Sequence, residues 1–112
     1  MAFLADLFEP PYYAVIFSSI RTGKDSDGYS DTAVRMLELA STMDGYLGVE
    51  ALGAGSDAIT VSYWRGEEDI AAWRNQIEHV EARRMGRQTW YDDYRLRVAK
   101  VERAYDLTSA LS

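Results

Sequence analysis

A single histidine stands in this chain of 112 residues: His79, six positions after Trp73. Imidazole has an ordinary pKa near neutrality, so His79 is the candidate general base, able to take a proton from a phenol. Counting ~100° per residue from Ile70, the apolar residues Trp73, Ile77 and Val80 gather on one side of a helix, while His79 falls about 180° away. A straight helix turns His79 to solvent or to a neighbour. It enters a pocket only if the helix breaks near Asn75. Trp73 lies on the apolar side, where it serves as a core anchor or as a flat wall for an aromatic ligand. Trp90, Tyr91 and Tyr94 cluster near the start of the last strand. They either plug that end of the fold or line a pocket mouth, with phenol groups free to donate to a carbonyl or quinone oxygen. Tyr63 and Ser18 face a sheet surface and could line the same cavity. Arg97, if it points inward, needs an anion. That partner is a substrate oxyanion or an acid such as Glu50 or Glu102 across a dimer. His79 and Arg97 are thus the catalytic candidates, and Trp73, Tyr63, Trp90 and Tyr94 the substrate-binding ones.

Other chemistries find little support. One histidine, no cysteine and no carboxylate cluster at ligand spacing speak against a metal centre. Gly53 and Gly55 sit in a hairpin followed by a strand, which is not a phosphate cradle. The net charge of −6 repels phosphate backbones, so nucleic acid is a poor partner. Absence of cysteine fits the cytoplasm. Residues 1–7 are apolar but short and are interrupted by Asp6, so neither a signal peptide nor a membrane span is expected there.

The elements that must position these groups follow from periodicity. Ile59, Val61 and Tyr63 alternate with Ala58, Thr60, Ser62 and Trp64, a strand of period two. Arg65 and Gly66 end it, and Glu67, Glu68 and Asp69 then favour a helix N-terminus. That second helix runs to about Gly86, with a kink expected at Asn75–Gln76. Strand one covers 12–20 after an arm, residues 1–11, that ends in two prolines. Helix one spans about 29–43, with Tyr29, Ala33, Met36, Leu37, Ala40 and Met43 along one side. Strand two covers 46–52, a hairpin loop 53–57, a turn or helical link 88–93 and strand four 94–105. Residues 106–112 form a tail. The order β-α-β-β-α-β is α+β and ferredoxin-like, with both helices on one sheet face. Strands one and four are apolar on both sides, so the uncovered face should pair with a second copy of the chain.

The order of elements, together with VSYW at 61–64, AW at 72–73, EH at 78–79, WY at 90–91 and RVAKVERAY at 97–105, resembles the antibiotic biosynthesis monooxygenase family. The resemblance covers residues 12–105 and lies with a small bacterial branch. It implies a homodimeric α+β barrel with one pocket per subunit, between sheet and helices. It also implies oxidation of a small aromatic, phenolic or quinol compound without cofactor, the bound substrate itself activating oxygen. Some relatives act on quinols, several have no demonstrated activity, and a further branch binds and degrades heme; a non-catalytic small-molecule binding protein and a heme-binding or heme-degrading monooxygenase are thus the alternative readings. That branch uses a strand-one asparagine, a helix-two tryptophan and a histidine ten residues on. Trp73 matches the tryptophan, but Arg83 holds the histidine position and strand one has no asparagine. Both departures count against heme degradation by that route.

Overall fold

The computed structural model describes residues 3–109. The first two residues of the expected arm and the last three of the expected tail lie outside the described residues, as does the side chain of Ile77. The order is β1 (Tyr12–Arg21), α1 (Ser26–Ser41), β2 (Tyr46–Ala54), β3 (Asp57–Trp64), α2 (Glu67–Asn75), α3 (Ile77–Met85) and β4 (Tyr91–Val101). The four strands form one antiparallel sheet in the order β2-β3-β1-β4. This is the expected ferredoxin-like α+β arrangement.

Register divides the sheet into two chemically distinct faces. Residues paired across antiparallel strands share a face. Phe17 pairs with Thr60 and Leu96, and Ile16 with Val61 and Arg97. The Phe17 face carries the helices: Trp73 of α2 lies on Trp64, and Tyr29 of α1 meets Tyr91. The Ile16 face is crossed at one end by the N-terminal segment. The Ala5 N–H donates to Glu50 Oε2 at 3.0 Å, and the Phe8 ring meets Tyr12 edge-on. Beyond that segment the face exposes Ile20, Ile59 and Leu52, the last by 70%. The core is small and aromatic: Trp64, Trp90 and Tyr12 are buried with Ala14 and Ala40.

Several boundaries differ from expectation, each for a physical reason. Helix α1 opens at Ser26, and Gly28 lies inside its first turn. The missing Cβ there is what admits the Asp25 carboxylate, whose Oδ2 would stand 2.2 Å from it. Asp25 in turn accepts the Trp90 indole N–H at 3.2 Å. Leu37, expected on the buried side of α1, is exposed. Strand β4 begins at Tyr91 and stops at Val101, so Arg103 and Tyr105 lie beyond it. Its partner in the sheet is β1, whose first residue Tyr12 pairs with Val101. Pro10 and Pro11 precede Tyr12, and proline has no N–H to continue a ladder.

Gly86, expected to end the second helix, instead continues right-handed (φ −58°, ψ −48°) into a wide π-helical turn, Gly86–Trp90. A Cβ at this glycine would fall 2.8 Å from the Tyr91 ring. Phe17 and Tyr29 pack on that ring, so it has little room to retreat. Gly86→Ala is therefore expected to destabilise the fold by about 1–3 kcal/mol, the usual cost of overpacking. A denaturant titration with unchanged slope and a lowered midpoint checks it.

Candidate functional site

The site is built by a break in the helical segment. α2 stops at Asn75, Gln76 is extended (φ −63°, ψ 133°), and α3 begins at Ile77. The last carbonyls of a helix have no partner within it. Three side-chain groups answer this break. Gln76 Oε1 accepts the His79 backbone N–H at 3.0 Å and caps α3. His79 Nδ1 lies 2.8 Å from the Trp73 carbonyl oxygen, and Arg83 Nη2 donates to the Arg74 carbonyl at 3.0 Å. α3 is further tied to α1 by a two-pronged Arg35–Glu78 pair at 2.8 and 2.9 Å. Exposed as it is, that pair orients the helix more than it stabilises it.

The break turns His79 back over Trp73. Their rings stack at 4.1 Å with 17° between planes, and Trp73 stacks on Trp64 at 6.0 Å and 25°. Tyr46 closes the inner end edge-on, and Trp64 Nε1 donates to Ser62 Oγ at 2.9 Å. A ladder of three rings thus runs from the sheet to the helix break. A carbonyl oxygen only accepts, so neutral His79 carries its proton on Nδ1 and keeps a lone pair on Nε2. Burial pushes the His79 pKa down; the Trp73 carbonyl opposes this, and nearby Arg83 and Arg74 push it down again. His79 is therefore neutral near pH 7 and able to accept a proton.

This depression has a sign in stability. Below its ordinary value of about 6.5 the unfolded chain protonates first, so stability falls with pH until native His79 also takes a proton. Thermal melts at pH 7.5 and 5.5 should show this loss in the native chain, and a smaller one in His79→Gln. The carboxylates held low by arginines, Glu78, Glu81 and Asp93, act at more acid pH.

A second aromatic group faces the same side. Tyr94 lies 5.2 Å from Phe17, which meets Tyr91 at 5.3 Å, and Tyr91 meets Tyr29. The Arg21 guanidinium sits 4.3 Å over the Tyr29 ring. Burial, first, and the neighbouring Tyr29 hold the Tyr91 phenol above its ordinary pKa. Beside this group a cavity of about 400 Å³ opens between Arg21, Tyr29 and the small residues Ala51, Ala58 and Thr60. From Tyr94 the same face continues along β4 through Leu96 and Val98, exposed by 46% and 47%. The helix-bearing side therefore has an open apolar margin.

The six expected site residues divide between the two faces. Trp73 and His79 touch, and Tyr94 lies on their side of the sheet. Trp90 is also on this side but is buried, its indole spent on Asp25. Tyr63 and Arg97 are on the other face and do not join this group, because each is one residue out of phase with Trp64 and Leu96. Tyr63 donates to Glu50 Oε1 at 2.8 Å, and burial followed by that carboxylate raises its pKa to about 12. It secures the N-terminal segment. Arg97 is exposed. Arg83 was not among the expected site residues; its spacing of four from His79 on one helix is the signal that pairs them.

No family model matches the chain. The ferredoxin-like fold is shared with solved structures: SnoaB, a cofactor-independent oxygenase from Streptomyces nogalater, superposes with a TM-score of 0.70 at 8% identity, over 89% of this chain and all of that one. In sequence the chain is 50% identical over 104 residues to the uncharacterized protein YqjZ of Bacillus subtilis, covering 92% of this chain and 90% of that protein. It is 28% identical over 92 residues to the jasmonate monooxygenase ABM of Pyricularia oryzae. That match takes in 80% of this chain but only 43% of the fungal protein. The chain belongs to the same family as YqjZ, and in fold it is similar to SnoaB and to a putative antibiotic biosynthesis monooxygenase from Nitrosomonas europaea, the latter with a TM-score of 0.68 at 12% identity over 88% of this chain and 97% of that one.

Proposed function

We propose that the protein is a cofactor-independent monooxygenase acting on a small aromatic, phenolic or quinol compound held between the sheet and the helices. The observation that carries this reading is the Trp64–Trp73–His79 ladder, with Nδ1 of the histidine held by a backbone carbonyl. A flat substrate extends a stack of rings. The free Nε2 takes the phenol proton, and the resulting anion is electron-rich enough to reduce oxygen. One oxygen atom then enters the ring carbon, the other leaves as water, and all four electrons come from the substrate, which ends as a quinone. Tyr94 and Phe17 supply a second aromatic wall, and Leu96 and Val98 an apolar approach to it.

The reading includes a cytoplasmic homodimer whose sheets meet through the Ile16 face. Support comes from Leu52, Ile59 and Ile20 exposed together there, beside a groove of about 630 Å³. Contiguous apolar surface of this kind marks an interface. Sedimentation at micromolar concentration should give a dimer; a monomer overturns that part.

For the activity, the test is oxygen uptake with a panel of phenols and hydroquinones, without added metal or flavin. Uptake matched by quinone formation supports the reading. Saturable binding of the same compounds with no oxygen consumed replaces it with a non-catalytic binding protein.

A further inference from the structure

Arg83 holds a polar atom the fold leaves unanswered. Its Nε is buried and, among the described residues, has no hydrogen-bond partner, although Nη2 of the same guanidinium donates to the Arg74 carbonyl. A buried donor without an acceptor is costly, and more so when charged. The described ion pairs use Arg35, Arg84 and Arg95, and none of them supplies Arg83 with an acid. The charges that bear on it are of its own sign: Arg74 and Arg87. A cationic cluster is conspicuous in a chain whose acids outnumber its lysines and arginines by 18 to 12.

The cluster also has a defined place. Arg83 Nη2 reaches the Arg74 carbonyl and His79 Nδ1 the Trp73 carbonyl, so both side chains turn back to the same helix break. Arg83 therefore lies at the helix break beside the outer end of the ring ladder. Residues four apart on a helix are neighbours, about 5–6 Å between Cβ atoms. One compact ligand can reach both His79 and Arg83.

We infer that Arg83 binds an anionic oxygen of the substrate through Nε, and that the substrate class is a hydroxyarene carboxylate. The carboxylate meets the guanidinium while the neighbouring hydroxyl meets His79. Such an anion satisfies the orphaned donor and offsets the repulsion among three arginines. The inference rests on the sheet–helix site proposed above and narrows what that site accepts.

The test is calorimetric titration with 1-hydroxy-2-naphthoate and with its methyl ester, which keeps the rings and hydroxyl but removes the charge. The native protein should bind the acid about ten- to a hundredfold more tightly, as expected for a charge-assisted hydrogen bond. Arg83→Gln should bind both equally. Arg83→Lys keeps a charge and a donor for the Arg74 carbonyl but loses Nε; it should retain a preference of only a few-fold, and it decides the matter if the glutamine variant does not fold. Equal affinity for acid and ester in the native protein, failure of both to bind, or a preference untouched by either substitution overturns the inference. Oxygen uptake measured on the same samples separates the two readings. Arg83-dependent binding without uptake sinks the oxygenase and keeps the anion site, whereas uptake with no preference for the acid does the reverse.

Discussion

Truncating Trp64 to alanine is expected to cost about 3–5 kcal/mol, the range for removing a large aromatic from a core. A domain of this size has roughly 5–15 kcal/mol of stability in all, so the variant should be largely unfolded or melt far below the native chain. The magnitude follows from position. Trp64 is the fully buried end of β3, stacked under Trp73, flanked by Tyr46 and hydrogen-bonded to Ser62. Its loss leaves a cavity and an unpaired wall at once. Trp64→Phe keeps a ring in place and should cost less. Chemical denaturation followed by circular dichroism measures both; a Trp64→Ala loss below about 1 kcal/mol would show that the ladder is not the centre of the core.

The second large effect is on turnover. If His79 is the general base, His79→Ala should lower the oxygen-uptake rate by about 10²–10⁴-fold while substrate still binds. Added imidazole should restore part of the rate, because the vacated space over Trp73 can admit the ring. A fall of only a few-fold, or a fall matched by equal loss of affinity, assigns His79 to packing and capping alone. That outcome is chemically reasonable, since Nδ1 already answers an otherwise unsatisfied helix carbonyl.

Much of the fold was legible because it rests on local rules. Alternation from 58 to 64 marks β3 and assigns Tyr63 and Trp64 to opposite sides before any partner strand is known. Three acids after Gly66 mark the start of α2. The wheel placed His79 away from Trp73 on a continuous helix and named a break near Asn75 as the condition for bringing it in. Gln76 meets that condition. What local pattern could not convey is contact between distant groups. The end of β4 depends on where β1 runs out of donors, 12 residues from the chain start. The extension of α1 depends on Asp25 serving Trp90, 65 positions away. Arg83 reads as an ordinary helix-ending cation, and its interest arises only because the break exposes the Arg74 carbonyl that captures one arm of the guanidinium.

The two-faced sheet also has a consequence for how such a chain can change over time. A β-strand delivers successive side chains to opposite sides, so Tyr63 and Arg97 can be altered with little mechanical effect on Trp73, His79 or Arg83. Effects of substitutions that share no neighbours generally add. The sheet thus acts as a partition: changes on one side reach the packing of the other only weakly. Trp64 and Tyr63, adjacent in the chain yet packed against opposite faces, mark the line along which that separation runs.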